Sequence, residues 1–79
     1  MNQNEMVYVL SQILDGLTGG SITEPEGIAK ANSVRASALR ELVFNDACDI
    51  ALETAGKAIV KKAEEIVRLA KRKMGSATA

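Results

Sequence analysis

Three groups of residues in this chain of 79 amino acids have types and spacings that could support chemistry. The glycine-rich run at residues 15–20 leads into a helix start, an arrangement that can cradle a phosphate group. Asp46, Asp49 and Glu53 follow the i, i+3, i+7 spacing that places carboxylates on one helix face, where they could bind a metal ion. Cys48 is the single thiol and therefore the single candidate for a cysteine nucleophile.

The glycine-rich run lacks what a phosphate-binding loop requires. Such a loop follows a buried strand and supplies a lysine that reaches the phosphates. Residues 4–16 have helical rather than strand periodicity, and no lysine stands near Gly19 and Gly20. Glu24 and Glu26 also occupy the following helix start, where their charges would repel a phosphate. We therefore interpret the run as the turn between two helices.

Catalytic and metal chemistry are disfavoured on similar grounds. The sequence has no histidine, which excludes the Ser-His and Cys-His pairs that activate a nucleophile. Asp46 and Asp49 flank Cys48 and disfavour its thiolate, so we predict a buried structural thiol. Metal sites in helical proteins usually combine carboxylates with histidines and take ligands from a second helix as well. We therefore interpret the three carboxylates, Asp46, Asp49 and Glu53, as an acidic helix face that is either solvated or in contact with a basic helix. We expect no enzymatic activity, no cofactor and no metal site.

Helical periodicity runs through the chain and predicts an all-α fold. We expect a first helix at about residues 4–16. Asn2 followed three residues later by Glu5 is a helix start signal, and Gly16 or Gly19 is the expected stop because glycine adopts the left-handed conformation without steric cost. Apolar residues at i, i+3, i+4 and i+7 place one face of this helix in the core.

The second helix, expected at about residues 24–44, has the clearest start in the sequence. Thr23 followed three residues later by Glu26 reads as a capping box, and Pro25 stands in the first turn. The apolar face of this helix is predicted to contain Ile28, Ala31, Ala38, Leu39, Leu42 and Val43.

The third helix is expected at about residues 46–74, with Asp46 as its cap and a break or kink at Gly56. Gly75 is the predicted stop, and residues 76–79 are predicted to be disordered. The sequence leaves open whether residues 24–74 form one long helix or two.

The whole pattern predicts one small domain at residues 1–75, in which a helical hairpin joins an N-terminal helix. A chain of this size buries only about 60% of the surface that its unfolded form exposes. Its apolar residues are mainly Ala, Val, Ile and Leu, with only two aromatics, Tyr8 and Phe44, so each buries little area. A core this thin predicts a helical-bundle oligomer.

The charges are unevenly distributed although the net charge is zero. Residues 1–56 carry eight acidic and three basic side chains, whereas residues 57–79 carry seven basic and two acidic ones. Either the two halves pair with each other, within one chain or between two, or the basic end faces nucleic acid. The single cysteine, together with the lack of a leader and of a long apolar run, predicts a cytoplasmic protein that does not span a membrane.

Two sets of residues are candidates for binding a partner. Asn32 and Arg35 fall on the predicted apolar side of the second helix, among Ile28, Leu39 and Leu42. A polar side chain there either snorkels at the edge of the core or contacts a partner. The second set is the basic face of the last helix, formed by Lys57, Lys61, Arg68, Lys71 and Arg72.

The stretch LDGLTGGSITEPEGIAKANSVRASAL, residues 14–39, resembles a pattern of short helical bacteriophage and prophage accessory proteins. In those proteins a first helix ends in a Leu-x-x-Gly turn, and an Ile-Thr cap opens a helix reading Ile-Ala-x-x-Ala/Asn. Gly27 departs from the alanine expected there, and the C-terminal half matches no part of the pattern. The matching residues are Leu14, Gly20, Ile22, Thr23, Ile28, Ala29, Ala31 and Asn32.

The resemblance implies a phage-encoded, cytoplasmic protein with no enzymatic role. We therefore expect a regulator or inhibitor that acts by protein–protein interaction on a host or anti-phage defence factor. The alternative is a nucleic-acid-binding regulator that uses the basic C-terminal helix. The expected partners are another protein and a second copy of the chain, as a homodimer or higher oligomer.

Overall fold

The computed structural model describes residues 2–43 and 50–78, with side chains described as far as residue 75. Within these ranges the chain forms three α-helices and no strand, which confirms the predicted all-α fold. The helices are α1 (Gln3–Gly19), α2 (Glu24–Val43) and α3 (Ile50–Thr78).

The start of α1 follows the predicted signal. The Asn2 side chain accepts a hydrogen bond from the Glu5 backbone N–H at 2.8 Å and donates one to the Glu5 carboxylate at 3.0 Å. Of the two predicted stops, Gly16 is too early and Gly19 is correct, because α1 continues to Gly19. Gly20 forms the C-cap in the left-handed conformation, with φ of 82°, and this is the conformation in which glycine is favoured.

The start of α2 also follows the prediction. The Glu26 backbone N–H donates to Thr23 Oγ1 at 3.4 Å, and the Gly27 N–H donates to the Thr23 carbonyl at 2.9 Å. As described, α2 ends at Val43. The predicted helix end at Phe44 and the roles predicted for Asp46, Cys48 and Asp49 lie outside the described residues.

Of the break or kink predicted at Gly56, the break is wrong, because α3 runs from Ile50 to Thr78 without interruption, and the kink stays a prediction. Gly56 is buried, and a Cβ added to it would stand 2.9 Å from Cδ2 of Leu42. This glycine therefore allows α2 to approach α3 closely. Helix α3 also continues past Gly75 into the segment predicted to be disordered, since one helical glycine costs only about 1 kcal/mol relative to alanine.

The three helices form an up-down-up bundle that measures 47 × 19 × 15 Å. Helices α1 and α3 run in the same direction, because Gln3 Nε2 donates to the Leu52 carbonyl near one end and Lys73 Nζ donates to the Leu17 carbonyl near the other. Helix α2 runs in the opposite direction, because Leu42, close to the end of α2, lies beside Gly56, close to the start of α3. Helices α2 and α3 are therefore two separate helices, as in the predicted hairpin.

The core is one apolar seam between the three helices. The buried face of α2 consists of small residues, and two residues predicted to lie on it, Leu39 and Val43, are 39% and 76% exposed. Among the described residues no polar or charged side chain is buried. The core side chains are Met6, Leu10, Ile13, Leu17, Ala31, Val34, Ala38, Ile59, Ala63, Ile66 and Ala70.

Two glycines of α1 should respond in opposite ways to replacement by alanine. A Cβ on Gly16 would collide with the side chain of Ile22. The backbone N–H of Ile22 also donates a hydrogen bond of 3.1 Å to the Gly16 carbonyl. We expect Gly16→Ala to lower the free energy of unfolding by about 1–3 kcal/mol through overpacking. A Cβ on Gly19 would meet no atom within 4 Å. Because alanine has a higher helix propensity than glycine, Gly19→Ala should raise the free energy of unfolding by up to about 1 kcal/mol.

Denaturant unfolding followed by circular dichroism measures both changes. Stabilisation by Gly16→Ala similar to that by Gly19→Ala would contradict the close packing of Ile22 on α1.

Candidate functional site

Asn32 and Arg35 lie on the flank of α2 and not on its buried face. The residues of α2 that face the core are Gly27, Ala31, Val34 and Ala38, which recur at helical spacing. Asn32 is therefore exposed and Arg35 is half-buried at the edge of the core. The sequence-based prediction placed the apolar side where the larger residues Ile28, Leu39 and Leu42 lie, which is toward this flank. The buried face was missed because glycine and alanine contribute little to hydropathy.

Arg35 faces an acidic residue of α3. Its Nε lies 3.9 Å from Oε1 of Glu64, and the two side chains are 42% and 48% exposed. This distance is too long for a hydrogen bond, and Arg35 Nε is buried without an acceptor. Glu64 therefore attracts Arg35 only weakly and leaves the Arg35 Nε–H without a hydrogen-bond acceptor.

An open groove of about 300 Å³ lies between α2 and α3, and we call it the basic groove. Three cations, one carboxylate, one amide and one apolar side chain line it. Four of the six lining residues are among those predicted from the sequence to bind a partner. The lining residues are Asn32 and Arg35 of α2 and Glu64, Val67, Arg68 and Lys71 of α3.

The other predicted cations of α3 lie outside the basic groove. Lys57 pairs with Glu53 at 2.8 Å one turn away, while Lys61 and Arg72 are exposed. Within the described parts of the chain, Lys61, Arg68, Lys71 and Arg72 have no ion-pair partner. The basic face of α3 is therefore largely free to attract an external anion.

The described helices do not pack by pairing the acidic half of the chain with the basic half. The ion pair between α2 and α3 joins Arg35, from the acidic half, to Glu64, from the basic half. The pair formed by Lys30 and Glu26 lies within α2. Apolar packing, and not charge, thus brings these helices together.

The sequence did not indicate that Glu64 and Val67 line a groove or that Lys73 joins α3 to α1. Glu64 and Val67 enter the basic groove because of the register between α2 and α3, which no local pattern reveals. Lys73 donates a hydrogen bond of 2.8 Å to the Leu17 carbonyl, at the C-terminal turn of α1, where a cation is favoured. Its position three residues after buried Ala70 was the available signal that it faces the bundle.

The described residues include no group of three or more His, Cys, Asp or Glu side chains arranged to hold a metal ion. Two members of the predicted carboxylate face, Asp46 and Asp49, lie outside the described ranges. None of the helices in residues 3–43 and 50–78 combines the length and the apolar run that crossing a bilayer requires.

Known protein families, curated proteins and solved structures give no match to this chain. The resemblance of residues 14–39 to phage accessory proteins thus stays a prediction. The chemistry of the basic groove is the basis on which a function can be argued.

The Arg35–Glu64 pair should contribute little to stability, since both side chains are about half exposed. We expect a double-mutant cycle with Arg35→Met and Glu64→Gln to give a coupling energy below about 1 kcal/mol, as is typical of exposed pairs. Denaturant unfolding of the four proteins measures it. A coupling of about 3 kcal/mol, as in a buried pair, would show that the pair holds the hairpin together and is not available to a ligand.

Proposed function

We propose that this chain is a non-enzymatic interaction protein whose basic groove binds an acidic segment of another protein. The observation that carries the proposal is the convergence of Arg35, Arg68 and Lys71 on a groove in which Glu64 is the one lining carboxylate. Three cations against one anion leave an uncompensated positive charge. An acidic ligand would neutralise it.

The side chains of the groove suit carboxylates in particular. A guanidinium presents a planar set of donors that matches a carboxylate, and charge-assisted hydrogen bonds of this kind are stronger than neutral ones. Arg35 is already half-buried and held beside Glu64, so binding would order it less than it would order a fully exposed arginine. Arg68 and Lys71 are exposed on the same groove and would increase the rate of encounter with an acidic surface.

An acidic protein segment fits the groove better than a nucleic acid does. Glu64 lies inside the groove and repels any anion placed next to it, which a peptide with separated carboxylates can avoid but a continuous phosphate backbone cannot. Val67 offers an apolar contact that an aliphatic side chain can use. Tyr8 lies on α1, away from the groove, so no described aromatic side chain is placed there to stack on a base.

We further propose that the partner is a host or anti-phage defence factor, which the chain regulates or inhibits in the cytoplasm. This part of the proposal is supported by the resemblance of residues 14–39 to phage accessory proteins. Tight occupation of an acidic surface on the partner would be sufficient for inhibition, because it needs no chemistry from the bound protein.

Charge reversal in the basic groove should abolish capture of the partner. We expect Arg68→Glu/Lys71→Glu to weaken binding by at least about tenfold, because each reversal replaces an attraction by a repulsion. Affinity capture from a lysate of the host, followed by mass spectrometry and by titration of the captured protein, measures the effect.

The matched control is Lys30→Glu/Arg40→Glu, which changes the net charge by the same amount at two exposed positions of α2 outside the groove. The proposal predicts capture by the wild type and by this control, and loss with the groove variant. Capture of no protein, or equal retention by both variants, would contradict it.

The second candidate function is nucleic-acid binding by the exposed face of α3. Lys61, Arg68, Lys71 and Arg72 have no ion-pair partner in the described parts of the chain. They extend over about 16 Å of one helix, enough to contact several phosphates.

A gel-shift titration with duplex and single-stranded oligonucleotides tests this second function at low and at high salt. Nucleic-acid binding by α3 predicts a shift at low salt that falls steeply as salt rises, and that weakens with Lys61→Glu/Arg72→Glu. No shift at low salt would exclude this function, since the electrostatic attraction is largest there.

A further inference from the structure

Glu64 divides the basic groove into two ends of different charge. The Arg35 guanidinium faces Glu64, with Nε 3.9 Å from Oε1, so the opposite charges of these two side chains offset each other at this end. Arg68 and Lys71 follow along α3 and lie about 6 Å and about 10 Å from Glu64 along the helix axis. The uncompensated positive charge of the groove is therefore concentrated at the end that holds Arg68 and Lys71.

Asn32 belongs to the positively charged end of the groove. Helix α2 runs antiparallel to α3, so a residue that precedes Arg35 on α2 lies level with residues that follow Glu64 on α3. The Asn32 amide lines the groove there and supplies further hydrogen-bond donors. This end therefore offers two cations and an amide to the carboxylates of a bound segment.

The Glu64 carboxylate is available to a ligand at the other end. Its side chain is 48% exposed and lines the groove. Arg35 Nε is too distant to donate a hydrogen bond to it, and Arg68, one helical turn away, forms no ion pair with it. An exposed carboxylate that is only weakly paired attracts a cation of the ligand and repels an anion.

We propose that Glu64 is a specificity-determining residue of the basic groove, which selects an acidic segment that also carries one basic residue. This inference rests on the proposed function, the binding of an acidic protein segment. Carboxylates of the segment lie against Arg68 and Lys71, and its basic side chain lies against Glu64.

The spacing along the groove suits an extended segment. Side chains on the same face of an extended peptide are two positions apart, which corresponds to about 7 Å. This distance is close to the separation of about 6 Å between Glu64 and Arg68 along α3. A basic residue two positions from an acidic one can therefore reach Glu64 while the acidic residue reaches Arg68.

Glu64 provides the repulsive contact that specificity requires. A groove lined by cations alone would accept any polyanion, because attraction to positive charge does not depend on the order of charges in the ligand. With Glu64 in place, a uniformly acidic segment must bring one carboxylate close to another, whereas a segment of mixed charge gains an ion pair at the same position.

Two labelled peptides, acetylated and amidated at their ends, test the proposal by fluorescence polarisation at low salt. The mixed peptide is Glu-Ala-Glu-Ala-Lys, measured also in the reversed order to cover both chain directions, and the acidic peptide is Glu-Ala-Glu-Ala-Glu. We expect Glu64→Gln to weaken binding of the mixed peptide and to strengthen binding of the acidic one, each by about threefold, which is the size expected for one exposed ion pair.

The matched control is Glu65→Gln, which removes the same charge at the next, exposed position of α3 outside the groove. It should change binding of both peptides in the same direction, because it acts only through the net charge. Circular dichroism should show the same helical content for both variants, since both side chains are exposed.

The outcomes separate the role of Glu64 from the proposed function. If both peptides bind and are lost with Arg68→Glu/Lys71→Glu, but Glu64→Gln acts on them as Glu65→Gln does, the basic groove binds acidic segments and the role of Glu64 is overturned. If the wild type binds neither peptide at low salt, the proposed function is overturned together with this inference. Opposite changes for the two peptides with Glu64→Gln alone would support the inference.

Discussion

The close approach of the helices is the constraint on which the rest of the structure depends. A Cβ on Gly27 would stand 2.8 Å from Cδ2 of Leu17, and one on Gly56 would stand 2.9 Å from Cδ2 of Leu42. At each of these contacts a leucine of one helix occupies the space that a side chain would take on the next. A core built in this way is narrow, and its stability depends on small residues because any added atom must displace a packed side chain.

The narrow core also determines where polar groups lie. With small residues between α2 and α3, the hairpin has no interior volume for a guanidinium, so Arg35 lies at the edge of the core with Glu64 opposite it. The register fixed where Leu42 meets Gly56 then places Arg68 and Lys71 on the same edge. The basic groove is therefore a consequence of how the aliphatic core is packed.

Local signals in the sequence were sufficient for the all-α fold and for two of the helix starts, but they left open whether residues 24–74 form one long helix or two. Asn2 and Thr23 cap through contacts that reach only three residues along the chain, so their patterns are visible in one dimension. The role of Gly56 could not be predicted in this way, because a glycine that breaks a helix and one that admits a neighbouring leucine look the same locally. Asn32 and Arg68 were predicted separately to bind a partner, but that they line one groove together with Glu64 could not be predicted, since it requires the register between two helices.

Helix α3 forms one wall of the basic groove and, on its other side, one wall of an apolar groove of about 430 Å³ that it shares with α1. Arg68 and Lys71 lie on the side toward α2, whereas Ala58 and Lys62 lie on the side toward α1. An acidic segment bound in the basic groove would therefore leave the apolar groove uncovered, because no residue lines both grooves. Ala63 and Ile66 are buried between these two sides of α3, so a substitution at the exposed edge of one groove can leave the packing of the other unchanged.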